Sequence, residues 1–131
     1  MEKRDYIERE IEKMRAVVQK ILRLRVDRPQ EAQALAETEM EHYFHHALDD
    51  LVNMNDASFE TFIEPLLPSM LDFLGNLMYA SVDSAHKLTR RDQVLLHRTV
   101  ITWDLWERKT QTADWEKMIR KDEINQLLSA C

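Results

Sequence analysis

Glycine is almost missing from this chain: Gly75 stands alone among 131 residues, beside three prolines and one cysteine. A backbone with so few positions able to take a positive φ or admit a close neighbour excludes a phosphate-cradling glycine loop, a dinucleotide fingerprint and the many tight turns of a β-sandwich. The lone Cys131 excludes an intrachain disulfide and reads as an exposed thiol in a reducing compartment rather than as a nucleophile. Long apolar runs are lacking too. The most hydrophobic window, Leu66 to Val82, is short for a bilayer and is interrupted by Pro68, Asp72 and Asn76. The segment Met1 to Arg9 mixes both charge signs and has no apolar core of a secretion signal. A cytoplasmic protein with no membrane partner is expected. The net charge of −6 weighs against a nucleic-acid partner, because phosphate contacts need clustered Lys and Arg.

What is present suits a folded helical protein. Hydrophobic residues make up 44% and charged residues 32%, a balance that buries a core and solvates a surface. No stretch is long and polar enough to divide the chain, so residues 1–131 are read as a single domain. Its centre is the stretch Pro65 to Ala85. There Leu66, Leu67, Met70, Leu71, Phe73, Leu74, Leu77, Met78 and Val82 recur at three-four spacing and cover about half of a helix circumference at ~100° per residue. A stripe that wide needs neighbours on more than one side. Pro65 suits the first helical position, where its missing N–H costs nothing, and Pro68 falls in the first turn.

Around that centre the pattern predicts a first helix over Asp5 to Val26, with Ile7, Ile11, Met14, Val18, Ile21 and Leu22 on one face. A second runs from Pro29 to Val52, and Phe59, Phe62 and Ile63 mark a connector. A helix over Arg90 to Lys109, capped by Thr89 or Asp92, has apolar residues nearly all round its axis, so it is either sandwiched or covered by a partner. A last helix spans Ala113 to Ser129, after Thr112 and Asp114. The expected fold is all-α: a single domain of about five antiparallel helices, as a bundle or as stacked helical hairpins.

The opening Asp5-Tyr6-Ile7-x-Arg9-x-Ile11-Glu12, followed by Val17, Lys20, Ile21 and Leu22, resembles a family of short uncharacterised bacterial helical proteins that begin D-Y-I-x-R-x-I-E and continue to a K-I-L run. Those relatives look tetratricopeptide-like in their second half. Leu74-Gly75 is similar to the L-G of the tetratricopeptide first helix, whereas Tyr79 stands one place late and Lys87 sits where a small Ala is expected. The resemblance implies degenerate tetratricopeptide-like hairpins and carries no chemistry with it.

The polar cluster most suggestive of chemistry is Glu39-Met40-Glu41-His42-Tyr43-Phe44-His45-His46, followed by Asp49 and Asp50. His42 and His46, four apart on one helix, would share a face, and imidazole with carboxylate suits Zn²⁺ or Fe. Pairing Glu39-x-x-His42 with Asp83-x-x-His86 would approximate a di-iron bundle site, except that on the second helix these side chains fall opposite the apolar face. Glu39, His42, His46, Asp83 and His86 are therefore metal candidates set against a solvated histidine face. Arg90, Arg91 and Arg98 could receive an acidic partner, set against a solvated face with local ion pairs, and together with Lys87 they are the residues a helical nucleic-acid binder would use. His97 reads as a core-edge histidine. Trp103, Trp106 and Trp115 read as core anchors, with interface hot spots as the alternative.

Two functions follow. The first is a non-enzymatic helical interaction or scaffold domain, needing no cofactor, that self-associates as a homo-oligomer through Leu96, Val100, Trp103 and Trp106. The alternative is a metal sensor or metal-dependent enzyme built on the second helix.

Overall fold

The computed structural model describes residues 2–131, with side chains from Arg4 onward. Met1 of the Met1–Arg9 segment lies outside the described residues. The chain is all-helical, with no strand among the described residues. Its helices are α1 (Glu2–Asp27), α2 (Pro29–Phe44), α3 (Leu48–Asn53), α4 (Asp56–Ile63), α5 (Pro68–Ser81), α6 (Arg90–Thr110) and α7 (Trp115–Ser129). Seven helices replace the expected five because the second breaks and the connector around Phe59 is itself a helix.

The central helix is α5. It packs against α6, α1 and α2, and every residue from Phe73 to Ser81 except Asn76 is buried. Side-chain pairs fix the directions. Tyr43 of α2 meets Phe73 edge-on and Phe44 stacks on it, while Gln33 reaches Ser81 O, so α2 is antiparallel to α5. Lys109 at the end of α6 binds the carbonyls of Glu64 and Leu66, just before α5 begins, so α6 is antiparallel as well. In contrast α1 lies parallel: Ile11 and Met14 border Ser69 and Phe73, and Arg25 reaches Tyr79 and Val82.

Pro68, not Pro65, takes the first helical position, and α5 stops at Ser81 instead of Ala85. A helix end leaves carbonyls without partners. Here Arg25 donates to Tyr79 O at 3.0 Å and Val82 O at 3.3 Å, and Gln33 donates to Ser81 O at 3.4 Å. The neighbouring helices thus complete the one they surround.

The break in the second helix corrects the expectation of a continuous run to Val52. His45 takes the left-handed conformation, φ 58°, and closes α2. Since Tyr43 and Phe44 already lie opposite Phe73, near the start of α5, a straight continuation would carry Leu48 and Leu51 past the end of the core. Turning at His45 instead buries both, with α3 against α6. Glu37 accepts from Leu48 N at 3.2 Å and Asp50 from Ala47 N at 2.9 Å, which satisfies the new helix start. Both expected caps of α6 act together: Thr89 Oγ1 accepts from Asp92 N at 3.1 Å, and Asp92 accepts from Thr89 N at 3.0 Å.

The apolar circumference of α6 is used within the chain. Leu95, Leu96, Thr99, Thr102, Trp103 and Leu105 are buried, Trp103 completely. At the crossing of α5 and α6 sits the only glycine. A methyl group built on Gly75 would stand 2.5 Å from Trp103 Cδ1, and closer still to Nε1. The indole occupies the space a β-carbon would need, and it has no room to move. Gly75→Ala is accordingly expected to destabilise the fold by about 2–4 kcal/mol, more than offsetting the gain in helix propensity of about 1 kcal/mol. Urea unfolding measures this; a midpoint equal to or above that of the wild type would refute the close-approach argument.

Candidate functional site

The metal candidates do not converge. Because the helix ends at Phe44, His42 and His46 do not share a helical face: His42 is exposed at the end of α2, edge-on to Tyr43, and His46 lies beyond the break. His46 Nδ1 is 3.4 Å from Asp50, and its ring meets Phe62 edge-on. Glu39 is half-buried and helps, after burial and the Glu10 carboxylate, to raise the Tyr43 phenol. Asp83 and His86 belong to the α5–α6 connection and not to a helix; they are 3.6 Å apart, and Asp83 also accepts from Ala85 N. Among the described residues no three His, Cys, Asp or Glu side chains gather as a metal site.

The basic cluster is divided as well. Arg91 bridges Glu37 at 3.3 Å and Asp49 at 2.6 Å, tying α6 to α2 and α3. Arg98 is buried, with Asp56 at 2.6 Å, Met54 O at 2.8 Å and the Phe59 ring beneath it. Lys87 and Arg90 remain exposed. His97 is exposed, not at the core edge. Of the residues assigned to an interface, Leu96 and Trp103 are buried in the chain's own core and Val100 and Trp106 are half-buried against it.

What sequence reasoning missed is the orientation of α7. Asp114 caps it by accepting from Glu116 N at 3.1 Å, and the helix then lies antiparallel to α6 and parallel to α5. Its charged side faces the protein. Lys117, 7% exposed, pairs with Asp72 at 2.6 Å and donates to Asp114 at 2.9 Å above the Trp106 ring. Arg120 donates to Asn76 at 3.2 Å, pairs with Glu116 at 2.6 Å and lies over Tyr79, whose hydroxyl donates to Glu123 at 3.1 Å. Lys121 pairs with Asp104 at 2.9 Å and Glu107 at 2.8 Å on α6. Of its apolar residues only Ile124 is fully buried. A cleft of about 360 Å³ separates α7 from α1, with Asp72 and Asn76 on its floor and Arg15 and Gln19 among the residues of α1 that line it.

The opposite face of α7 is apolar. Trp115 is 73% exposed, Met118 43% and Ile119 52%, although all three fall on one side of the helix. Trp115 is therefore no core anchor. Asp122 continues the same side and is exposed. The helix thus turns its cations inward and its Trp outward.

Set against family models, curated proteins and solved structures, the chain matches none of them.

Titration at the start of α7 and at its contact with α6 makes the protection of this helix pH-dependent at both extremes. Burial acts to raise Asp114, but the Lys117 ammonium and the Glu116 N–H outweigh it and hold the carboxyl below its ordinary value. That contribution is present above the unfolded carboxylate value near 4 and is lost as pH falls through the lowered one. For Lys121 burial acts downward and is outweighed by Glu107 and Asp104, so its ammonium persists above its ordinary range; the contribution is present below about 10.4 and lost as pH rises further. Hydrogen exchange of α7 amides at constant ionic strength should be slowest between these limits. The amides of α5 should stay protected when those of α7 have begun to open below about pH 4. Simultaneous loss in both helices would refute the separate attachment of α7.

Proposed function

We propose that this protein is a non-enzymatic helical interaction domain that binds a protein partner through the outward face of α7. The observation that carries this reading is the exposure of Trp115, Met118 and Ile119 on a helix whose cations are all turned inward. Contiguous exposed apolar residues on a folded domain mark interaction surfaces, and Trp is the residue most enriched among binding hot spots. Self-association through α5 and α6, expected from their apolar circumference, loses its ground once those helices cover one another.

The helix directions support a finer reading of the architecture. The pairs α1/α2 and α5/α6 are antiparallel, whereas α1, α5 and α7 run parallel in successive layers. Direct packing of the parallel helices α1 and α5 supports a stack of degenerate tetratricopeptide-like hairpins, in which equivalent helices of successive pairs meet, although the alternation of directions alone also suits an up-down bundle. The exposed apolar face of α7 supports a role in binding.

Selection from an unbiased peptide library against the immobilised full chain tests the reading. Peptides enriched on the wild type are expected to lose at least about tenfold in affinity for the doubly substituted Trp115→Ala, Ile119→Ala chain, the loss typical of hot-spot truncation. Its melting should stay close to that of the wild type, because both side chains are exposed. Equal affinity for both chains would refute the proposal, as would no enrichment at all.

A further inference from the structure

We infer that the segment received by α7 is a basic amphipathic α-helix of another protein, lying along Trp115, Met118, Ile119 and Asp122. The inference rests on the reading of this face as an interaction surface and adds the partner's shape and charge.

Shape comes from the layering. The α1 helix is covered by α2, and α5 by α6, but α7 has a helix on its inner side only. Its free residues stand at positions i, i+3, i+4 and i+7, which line up along the helix over about 10 Å at 1.5 Å per residue. An apolar stripe of this kind matches the stripe of an amphipathic helix, whose anchors recur at the same spacing. A single Trp flanked by Met and Ile offers one large anchor and one adaptable thioether.

Charge decides which helix. The cations of α7 are all committed: Lys117 to Asp72 and Asp114, Arg120 to Glu116 beside Asn76, and Lys121 to Asp104 and Glu107. The exposed acids stay on or beside the apolar stripe. Asp122 lies on it and Glu123 borders it, while Glu116 beside it is already paired with Arg120. The rim is therefore acidic, and the whole chain carries −6. A second copy would bring the same acids and the same excess charge to the contact, and a nucleic acid or an anionic membrane surface would be repelled likewise. A helix with Lys or Arg beside its apolar stripe meets both features at once.

Two synthetic helices of about 18 residues, with the same leucine stripe but flanked by Lys in one and Glu in the other, separate shape from charge. Fluorescence anisotropy with the full chain is expected to show the Lys helix binding at least about tenfold tighter, with the difference shrinking as salt rises from about 50 to 300 mM. Trp115→Ala with Ile119→Ala should weaken the Lys helix by about tenfold, and Asp122→Lys should erase much of its preference over the Glu helix. Equal binding of the two helices, or tighter binding of the Glu helix, both abolished by Trp115→Ala with Ile119→Ala, would keep the interaction surface and overturn the basic partner. Binding untouched by those substitutions, or no binding of either helix, would overturn surface and partner together. A concentration-dependent dimer in light scattering that disappears with Trp115→Ala would assign the face to a second copy and overturn the inference.

Discussion

The arrangement of this protein depends on the contact between the Trp103 indole and the backbone at Gly75. Two helices approach this closely only where one of them lacks a β-carbon, and the chain has a single residue able to provide that. With α6 held there, α5 has one flank filled; α1 and α2 fill the rest, and the wide apolar stripe of α5 is consumed. The contact has a cost, since Trp103 Nε1 is buried without an acceptor. Packing around a fully buried indole offsets it, helped by Tyr79, whose ring lies 5.8 Å from that of Trp103.

Tyr79 also links the core to the outer layer. Arg25 of α1 and Arg120 of α7 both lie over its ring, at 4.7 and 5.1 Å, while its hydroxyl bonds Glu123. The three parallel helices α1, α5 and α7 therefore meet through one aromatic side chain and its polar surroundings, not through apolar contact alone. Attachment of this kind is weaker per residue than burial, because ion pairs near the surface gain little over hydration. Lys117 differs in being buried, and it is stable there because two carboxylates and an aromatic face replace its water. Among the outer helices α7 is thus held more by charge than by packing, and it is the segment expected to open first.

Much of the fold was legible in the residues. The broad stripe from Leu66 to Val82 identified the central helix, and the all-round pattern of Val94 to Trp106 required the covering that α6 receives. The break at His45 was not legible, because Leu48 and Leu51 continue the apolar spacing of Ala36, Met40 and Phe44; what ends the helix is the start of α5, a neighbour distant in sequence. The same break separates His42 from His46 and removes the face on which a metal site depended. Trp115 was read as a core anchor because hydrophobicity identifies a face but not the side of it that the fold occupies. A signal was present nonetheless in the spacing of Lys117, Arg120, Lys121 and Ile124, which form one side of the helix and could be paired with Asp72, Asp104 and Glu107 once the neighbours were known.

That spacing explains why the apolar side of α7 points outward. Turning the helix by half a revolution would bury Trp115, Met118 and Ile119 but take their partners from Asp72, Glu107 and the Tyr79 hydroxyl, which the helix partly covers. A covered polar group left unpaired costs about 1–3 kcal/mol, which offsets the gain of about 1.5–3 kcal/mol from burying an apolar side chain. The polar groups on α5 and α6 form a template that α7 matches in one orientation only. Its outward apolar stripe follows from that template, and it is fixed by the same residues that hold the helix in place.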